Sequence, residues 1–170
     1  NAYGVKVDSA LIDGALYIDQ ISTGRLTEEA IALTGLENPN SAAQLLTWLQ
    51  GNGTSADNLQ KATVSDLLAG ELPETVRRVL EIRQQLGKTS IKKYAAMDTA
   101  KCMDERVRGL TQYYGANRTG RWAGRMVQMQ NLPRNYLKTL DNAREVVKKK
   151  NYEGLRLLYG NVPDTLSQLI

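Results

Sequence analysis

Between Asp8 and Gly35 the apolar residues Leu11, Ile12, Ala15, Leu16, Ile18, Ile21, Leu26, Ala30, Ile31 and Leu33 recur at roughly helical spacing. A stripe that long must be covered by other elements, which commits the chain to an architecture built on helices. Asp8 is placed to cap the start of this helix and Gly35 to stop it. Gly14 and Gly24 weaken its continuity and allow a break near Ser22-Thr23-Gly24.

The same reading extends along the chain. Val5-Lys6-Val7 alternates briefly before Asp8. Asn38-Pro39-Asn40-Ser41 is a turn whose serine can cap a short helix over AAQLLTWLQ, ended by Gly51-Asn52-Gly53. Residues 53–58 read as a loop at an exposed tip. Thr63 is expected to cap a brief helix holding Val64, Leu67 and Leu68, stopped at Gly70. Pro73 sits where a first-turn proline belongs. Behind it Val76, Val79, Leu80, Ile82, Leu86 and Ile91 predict a long helix reaching about Tyr94 or Met97. Two long helices around a small helical tip suggest an antiparallel hairpin. The texture then changes to alternation rich in Gly and Tyr, predicting strands near 106–114 and 119–127 with a turn at Gly115-Ala116-Asn117. Helical pattern returns from Tyr136 to Lys149, near 151–159, and from Pro163 to the end. The expected fold is mainly α with a small antiparallel β hairpin, an α+β arrangement.

Composition narrows the chemistry. Hydrophobic residues make up 42% of the chain, enough for a packed core. No apolar run approaches the roughly 18 residues of a membrane span, so no membrane partner is expected. The single cysteine, Cys102, rules out an internal disulfide and fits a cytoplasmic setting, the expected one, or indifference to redox compartment. With no histidine, the usual zinc spacings and the commonest general base are both missing. Asn1-Ala2 read as an expression scar. The net charge of +4 is unevenly spread. Residues 1–70 hold three basic against eight acidic residues, whereas residues 101–150 hold twelve against four. The partner of that second region is expected to be an anion, and nucleic acid is the commonest large one.

The densest basic stretch is NRTGRWAGRMVQMQNLPRN, residues 117–135, with four arginines and no acid. On a strand, Arg121 and Arg125 would share a face with Thr119 and Ala123, with Arg118 and Trp122 opposite. Arginine forks bind phosphates or base edges, and Gln128, Gln130 and Asn131 both donate and accept. The mixture suits the minor groove, where acceptors are nearly alike in every base pair. A solvated hairpin whose charges guard its edges fits the composition equally well. Arg83, Lys88, Lys92 and Lys93 form either a phosphate-tracking stripe or the cation enrichment usual at a helix C-terminus. Asn38 and Ser41 either present an amide and a hydroxyl to a phosphate or only cap a helix. Trp48 and Trp122 read as core or hairpin packing. Asp98, Asp104 and Glu105 do not make a metal pair, and no complete catalytic site is visible.

TGRWAGRMVQMQNLP, residues 119–133, resembles the first palm motif of family-A (polymerase-I-type) DNA polymerases, TGRLSS, four residues, then LQNIP. Thr119, Gly120 and Arg121 fall on TGR, and Gln130, Asn131 and Pro133 on QN and P, without a gap. NPNSAAQL at 38–45 resembles the thumb motif of that family, GVKVD at 4–8 the entry to its first thumb helix, and the segment with Arg83 and Lys88 its second. Ala123-Gly124 stand in place of two serines and Gln128 in place of asparagine, changes that, with Arg125, resemble the phage branch. The resemblance implies a thumb-like helical subdomain at 3–97 and the start of a palm at 98–170, its hairpin near 106–127 followed by a helical insertion at 136–165.

It further implies that the parent carries out template-directed nucleotidyl transfer with Mg2+ and a dNTP, in DNA replication. The catalytic aspartates would lie outside this chain, which would hold no cofactor and be inactive alone. Its share would be to hold duplex primer–template DNA. Arg121, Gln130 and Asn131 would reach the minor groove, while Asn38, Ser41, Arg83, Lys88 and Arg125 would hold phosphates. Two rival readings stand beside this one. In the first, the chain is a protein-interaction platform of the replication machinery, with 136–165 as its surface; in the second, it is an unrelated RNA-binding helical domain.

Overall fold

The computed structural model describes residues 3–116, 118–132 and 134–170. Asn1-Ala2, Asn117 of the predicted turn and the motif residue Pro133 lie outside the described residues, as does the side chain of Ser90, while Gly115 and Ala116 of that predicted turn belong to a strand. Among the described residues there are eight α-helices and two small antiparallel strand pairs, as the expected fold class requires. No helix among them is long and apolar enough to cross a membrane. The chain divides into two compact units, one of Ile21–Lys88 and one of Asn1–Gln20 with Thr89–Ile170. Helix α1, Ser9–Thr34, contributes to both.

Asp8 caps α1 through its carboxylate, which accepts the amide of Leu11 at 3.0 Å. The helix is continuous through Ser22-Thr23-Gly24, against the allowance for a break. A glycine inside a helix costs only about 1 kcal/mol, and burial of Ile18, Ser22 and Leu26 on either side of Gly24 outweighs it.

In the Ile21–Lys88 unit, α2 spans Ala42–Gly51, α3 Lys61–Ala69 and α4 Glu74–Leu86. Leu45, Leu49, Val64, Val76, Val79 and Leu80 form its main core. Leu26 and Ala30 of α1 pack on Ile82 of α4, and Glu29 grips Arg78 through two bonds of 2.6 and 2.9 Å, so the two helices run antiparallel. Three expectations need correction here. Gln60, not Thr63, stands at the N-cap of α3, and the Thr63 hydroxyl donates instead to Asn58 at 2.7 Å. Pro73 is the cap residue of α4 rather than its first helical residue. The long helix predicted to Tyr94 or Met97 stops at Leu86, where the amide of Gly87 returns to the Arg83 carbonyl. A 3₁₀ turn, Thr89–Ile91, then leads into α5, Lys92–Ala100. Apolar spacing reads through the interruption because Ile91 and Tyr94 beyond it are again buried.

Arg78 holds the Glu29 carboxyl below its ordinary value through a hydrogen bond, working against the burial that would raise it. A carboxyl depressed in the folded state adds stability above its ordinary pKa of about 4.5 and loses it as the pH falls further. Glu29→Gln is therefore expected to be less stable than the unaltered chain at pH 6, by at most about 1 kcal/mol for so exposed a pair. Urea titrations should show the gap closing as the pH falls to about 3. A gap constant with pH would contradict the pairing.

In the other unit, β1 (Val5–Lys6) pairs with β2 (Arg106–Val107), and β3 (Thr111–Ala116) with β4 (Arg121–Gly124). The two long strands predicted at 106–114 and 119–127 are thus divided. The alternation near Val107 serves a different partner strand, and the hairpin proper is short. Val107, Leu110 and Val127 close a small core beneath it with Val7, Met97 and Ala100. Helices α6 (Leu140–Lys148), α7 (Tyr152–Tyr159) and α8 (Val162–Gln168) complete the unit. The helix predicted from Tyr136 starts four residues later. The amides of Tyr136 and Leu137 bond instead to the buried Gln168 carboxamide at 3.1 and 3.0 Å, and Tyr94 donates to the Leu166 carbonyl at 2.8 Å.

Candidate nucleic-acid interface

The hairpin places the basic stretch on an open edge. β4 is one strand of a two-stranded sheet, so its outer side pairs with no strand among the described residues. Arg121 is exposed and, by alternation, shares the face of Ala123, with Trp122 and Gly124 on the other. β4 ends at Gly124, so Arg125 is exposed beyond the strand, its amide bonded to the Leu110 carbonyl at 2.8 Å.

The chain next turns through two residues of left-handed conformation, Met126 (φ 53°) and Gln128 (φ 49°), into a 3₁₀ turn at Met129–Asn131. This turn organises the carboxamides. Asn131 Nδ2 donates to Gln128 Oε1 at 3.0 Å. The carboxamide of Gln130 lies directly on Gly124, where a Cβ would come within 2.2 Å of it. Any side chain at position 124 would require the Gln130 carboxamide to move away, and glycine leaves it in place. Gln130 and Arg121 thus flank the β4 edge from opposite faces, and no hydrogen bond joins them.

Lys93 holds the turn in place, a role the sequence did not disclose. Its ammonium donates to the carbonyls of Val127 at 2.8 Å and Gln128 at 3.1 Å, and burial pulls its pKa down. Read as one of four cations on a helix, it instead leaves the stripe and binds a neighbouring segment.

The electrostatics single out the same region. Among the described residues, Arg118, Arg121, Arg125 and Arg134 have no hydrogen-bonded or ionic side-chain partner. Every other arginine has a partner: Arg78 with Glu29, Arg144 with Asp141, Arg156 with Glu153, Arg77 on the carbonyls of Leu68 and Gly70, and Arg106 on those of Tyr3 and Gly4. Arg25 also interacts with a neighbour. Arg108 pairs with Asp104 and holds that carboxyl down near 2, while Asp98 pairs with Lys101 at 2.7 Å. Among the described residues, arginines without a side-chain partner are therefore concentrated within 118–134.

The other candidates lie in the Ile21–Lys88 unit. The Ser41 hydroxyl caps α2 by accepting the Gln44 amide at 3.5 Å, and Asn38 Oδ1 accepts the Asn40 amide at 3.1 Å. Both oxygens thus serve the turn, while the Ser41 hydroxyl proton and the Asn38 amide hydrogens remain for an outside acceptor. Arg83 reaches the same turn, donating to the Asn40 carbonyl at 3.4 Å. Asn38, Ser41 and Arg83 are thus assembled at one place; Lys88 follows the end of α4, half-buried and with an interaction of its own.

Among the described residues no group of three or more His, Cys, Asp or Glu side chains is arranged to hold a metal ion. The chain is 51% identical to a DNA polymerase of Bacillus phage SP02 over 170 residues, 100% of this chain and 26% of that relative. It therefore spans about a quarter of the length of the curated relative it matches. No family model matches the chain. No solved structure matches it either.

Proposed function

We propose that this chain is the primer–template-gripping segment, a thumb with the opening palm hairpin, of a family-A DNA polymerase of the phage branch. The observation that carries the proposal is the concentration, on and beside the short hairpin, of arginines without a side-chain partner among the described residues, in a chain whose full length is similar to part of a phage DNA polymerase. Arg121 and the carboxamides of Gln130 and Asn131 hydrogen-bond minor-groove acceptors from the two sides of β4. Those acceptors are nearly alike in every correct pair, so the contacts tolerate any sequence and weaken at a distorted mismatch. Arg125, and separately Asn38, Ser41, Arg83 and Lys88, hold phosphates, which position the duplex without reading it.

The parent's step, nucleotidyl transfer with dNTP and Mg2+, is not assigned to these residues. Asp98 and Asp104 are bound to Lys101 and Arg108.

Binding of the chain to a labelled primer–template duplex is expected to weaken with salt, the logarithm of affinity falling by about 0.9 per released phosphate contact for each tenfold in salt. In the full-length enzyme, Arg121→Ala should lower primer extension and mismatch discrimination by about tenfold, within the range of one lost bidentate base contact. Unchanged kinetics would overturn the assigned role. Equal or tighter binding of single-stranded RNA would favour an RNA-binding domain instead. A protein-docking role draws on the exposed Leu157 and Leu158 of α7, and the absence of any nucleic-acid binding would favour it.

A further inference from the structure

The hairpin also carries an aromatic face on the side away from Arg121. Tyr113 is 71% exposed, Tyr114 59% and Trp122 65%. Large aromatic side chains ordinarily bury most of their area, so three together in solvent on a six-residue strand and its partner require an account. They are not loose. The Tyr113 and Trp122 rings meet edge to face at 5.3 Å, and Tyr114 is 6.4 Å from Tyr113. Tyr114 holds a left-handed backbone (φ 52°) at the irregularity in β3 pairing, and its ring lies against Gly120, where a Cβ would come within 2.7 Å. Left-handed backbone at a bulky non-glycine residue is strained.

We propose that Tyr113 and Trp122 form a stacking face for unpaired bases of single-stranded DNA, beside the edge that grips the duplex. The nearby charge favours this occupant over a protein: Arg118, in the turn before β4, has no side-chain partner among the described residues and no part in the duplex grip, and a strand of unpaired nucleotides offers it a phosphate and offers the rings flat bases. Aromatic stacking is indifferent to base identity, which suits a site that meets every sequence. The inference builds on the nucleic-acid reading of the hairpin and adds a second, single-stranded ligand to it.

Tryptophan emission tests it directly, since the chain has only Trp48 and Trp122. Oligothymidylate is expected to quench emission in the unaltered chain and in Trp48→Tyr, and the quench should vanish in Trp122→Tyr. A primer–template with a single-stranded overhang should bind about tenfold more tightly than the blunt duplex. Trp122→Ala should abolish that increment and leave blunt-duplex affinity unchanged. Absence of quenching, a quench that survives Trp122→Tyr, or an equal loss on both ligands would each overturn the proposal. Loss of blunt-duplex binding in the unaltered chain would instead count against the duplex-gripping function, so the two readings fail separately. Should Trp122→Ala not fold, the emission experiment on the tyrosine variants still decides.

Discussion

Gly14→Ala is expected to destabilise the chain by about 3 kcal/mol, at the upper end of what overpacking a core costs, although alanine is the better helix former. Gly14 is buried in α1 against the end of α6. A Cβ there would stand 2.1 Å from the Val147 carbonyl oxygen and 2.8 Å from its carbon. These are backbone atoms, so no rotamer change relieves the clash, and the Val147 oxygen is itself fixed by the Lys150 amide at 2.8 Å. The neighbouring contacts leave α6 little freedom to withdraw. Lys148 binds Asp8 at 2.9 Å, and the Lys150 ammonium lies 5.6 Å from the centre of the Tyr17 ring. Val147, Ala143 and Leu155, all fully buried, would have to move together.

Gly24 provides the control. It occupies the same helix with nothing within 4 Å of its would-be Cβ, so Gly24→Ala should stabilise by about 0.5–1 kcal/mol through propensity alone. Urea unfolding followed by circular dichroism should move the two midpoints in opposite directions. A Gly14→Ala midpoint at or above that of the unaltered chain would refute this account of the α1–α6 packing.

Lys93→Met is expected to cost about 2 kcal/mol, the scale of hydrogen bonds from a charged donor together with the carbonyls left without it. Methionine keeps much of the stem but donates nothing to Val127 and Gln128. The segment it releases contains the left-handed Met126 and Gln128, which have reason to relax once unpinned. Relaxation would carry Gln130 off Gly124 and part Asn131 from Gln128, so duplex affinity should fall several-fold although Lys93 touches no DNA in this scheme. Lys93→Arg should restore part of both losses. Hydrogen exchange at the amides of Gln128, Asn131 and Leu132, each bonded within this turn, reports the release directly. Exchange and affinity both unchanged in Lys93→Met would remove Lys93 from the positioning of the turn.

Some of this protein was legible from residue order. Local rules sufficed where one residue decides one hydrogen bond: Asp8 and Ser41 cap α1 and α2 as expected, and Gly35 and Gly70 follow helix ends. The hairpin, its bareness of acid and the three carboxamides between Gln128 and Asn131 were equally visible. Local rules failed where a distant partner competed for the same group. Thr63 serves Asn58 rather than a cap, and the amides of Tyr136 and Leu137 go to Gln168 some thirty positions on, delaying α6.

The alternation from Arg106 onward looked like one long strand because period two marks a strand without saying which strand pairs with it. Val107 answers to Val5, more than a hundred residues away, and Thr111 to Gly124. By itself, then, the sequence determined which segments are helical, where charge accumulates and which side chains are able to bind an anion, since spacing and composition are properties of neighbours. Only the tertiary structure decided that Lys93 turns inward to hold a loop, that the arginines of 118–134 find no side-chain partner among the described residues, and that Trp122 faces solvent. Each of those outcomes depends on which groups from remote parts of the chain arrive within hydrogen-bonding or packing distance, and residue order alone does not contain that.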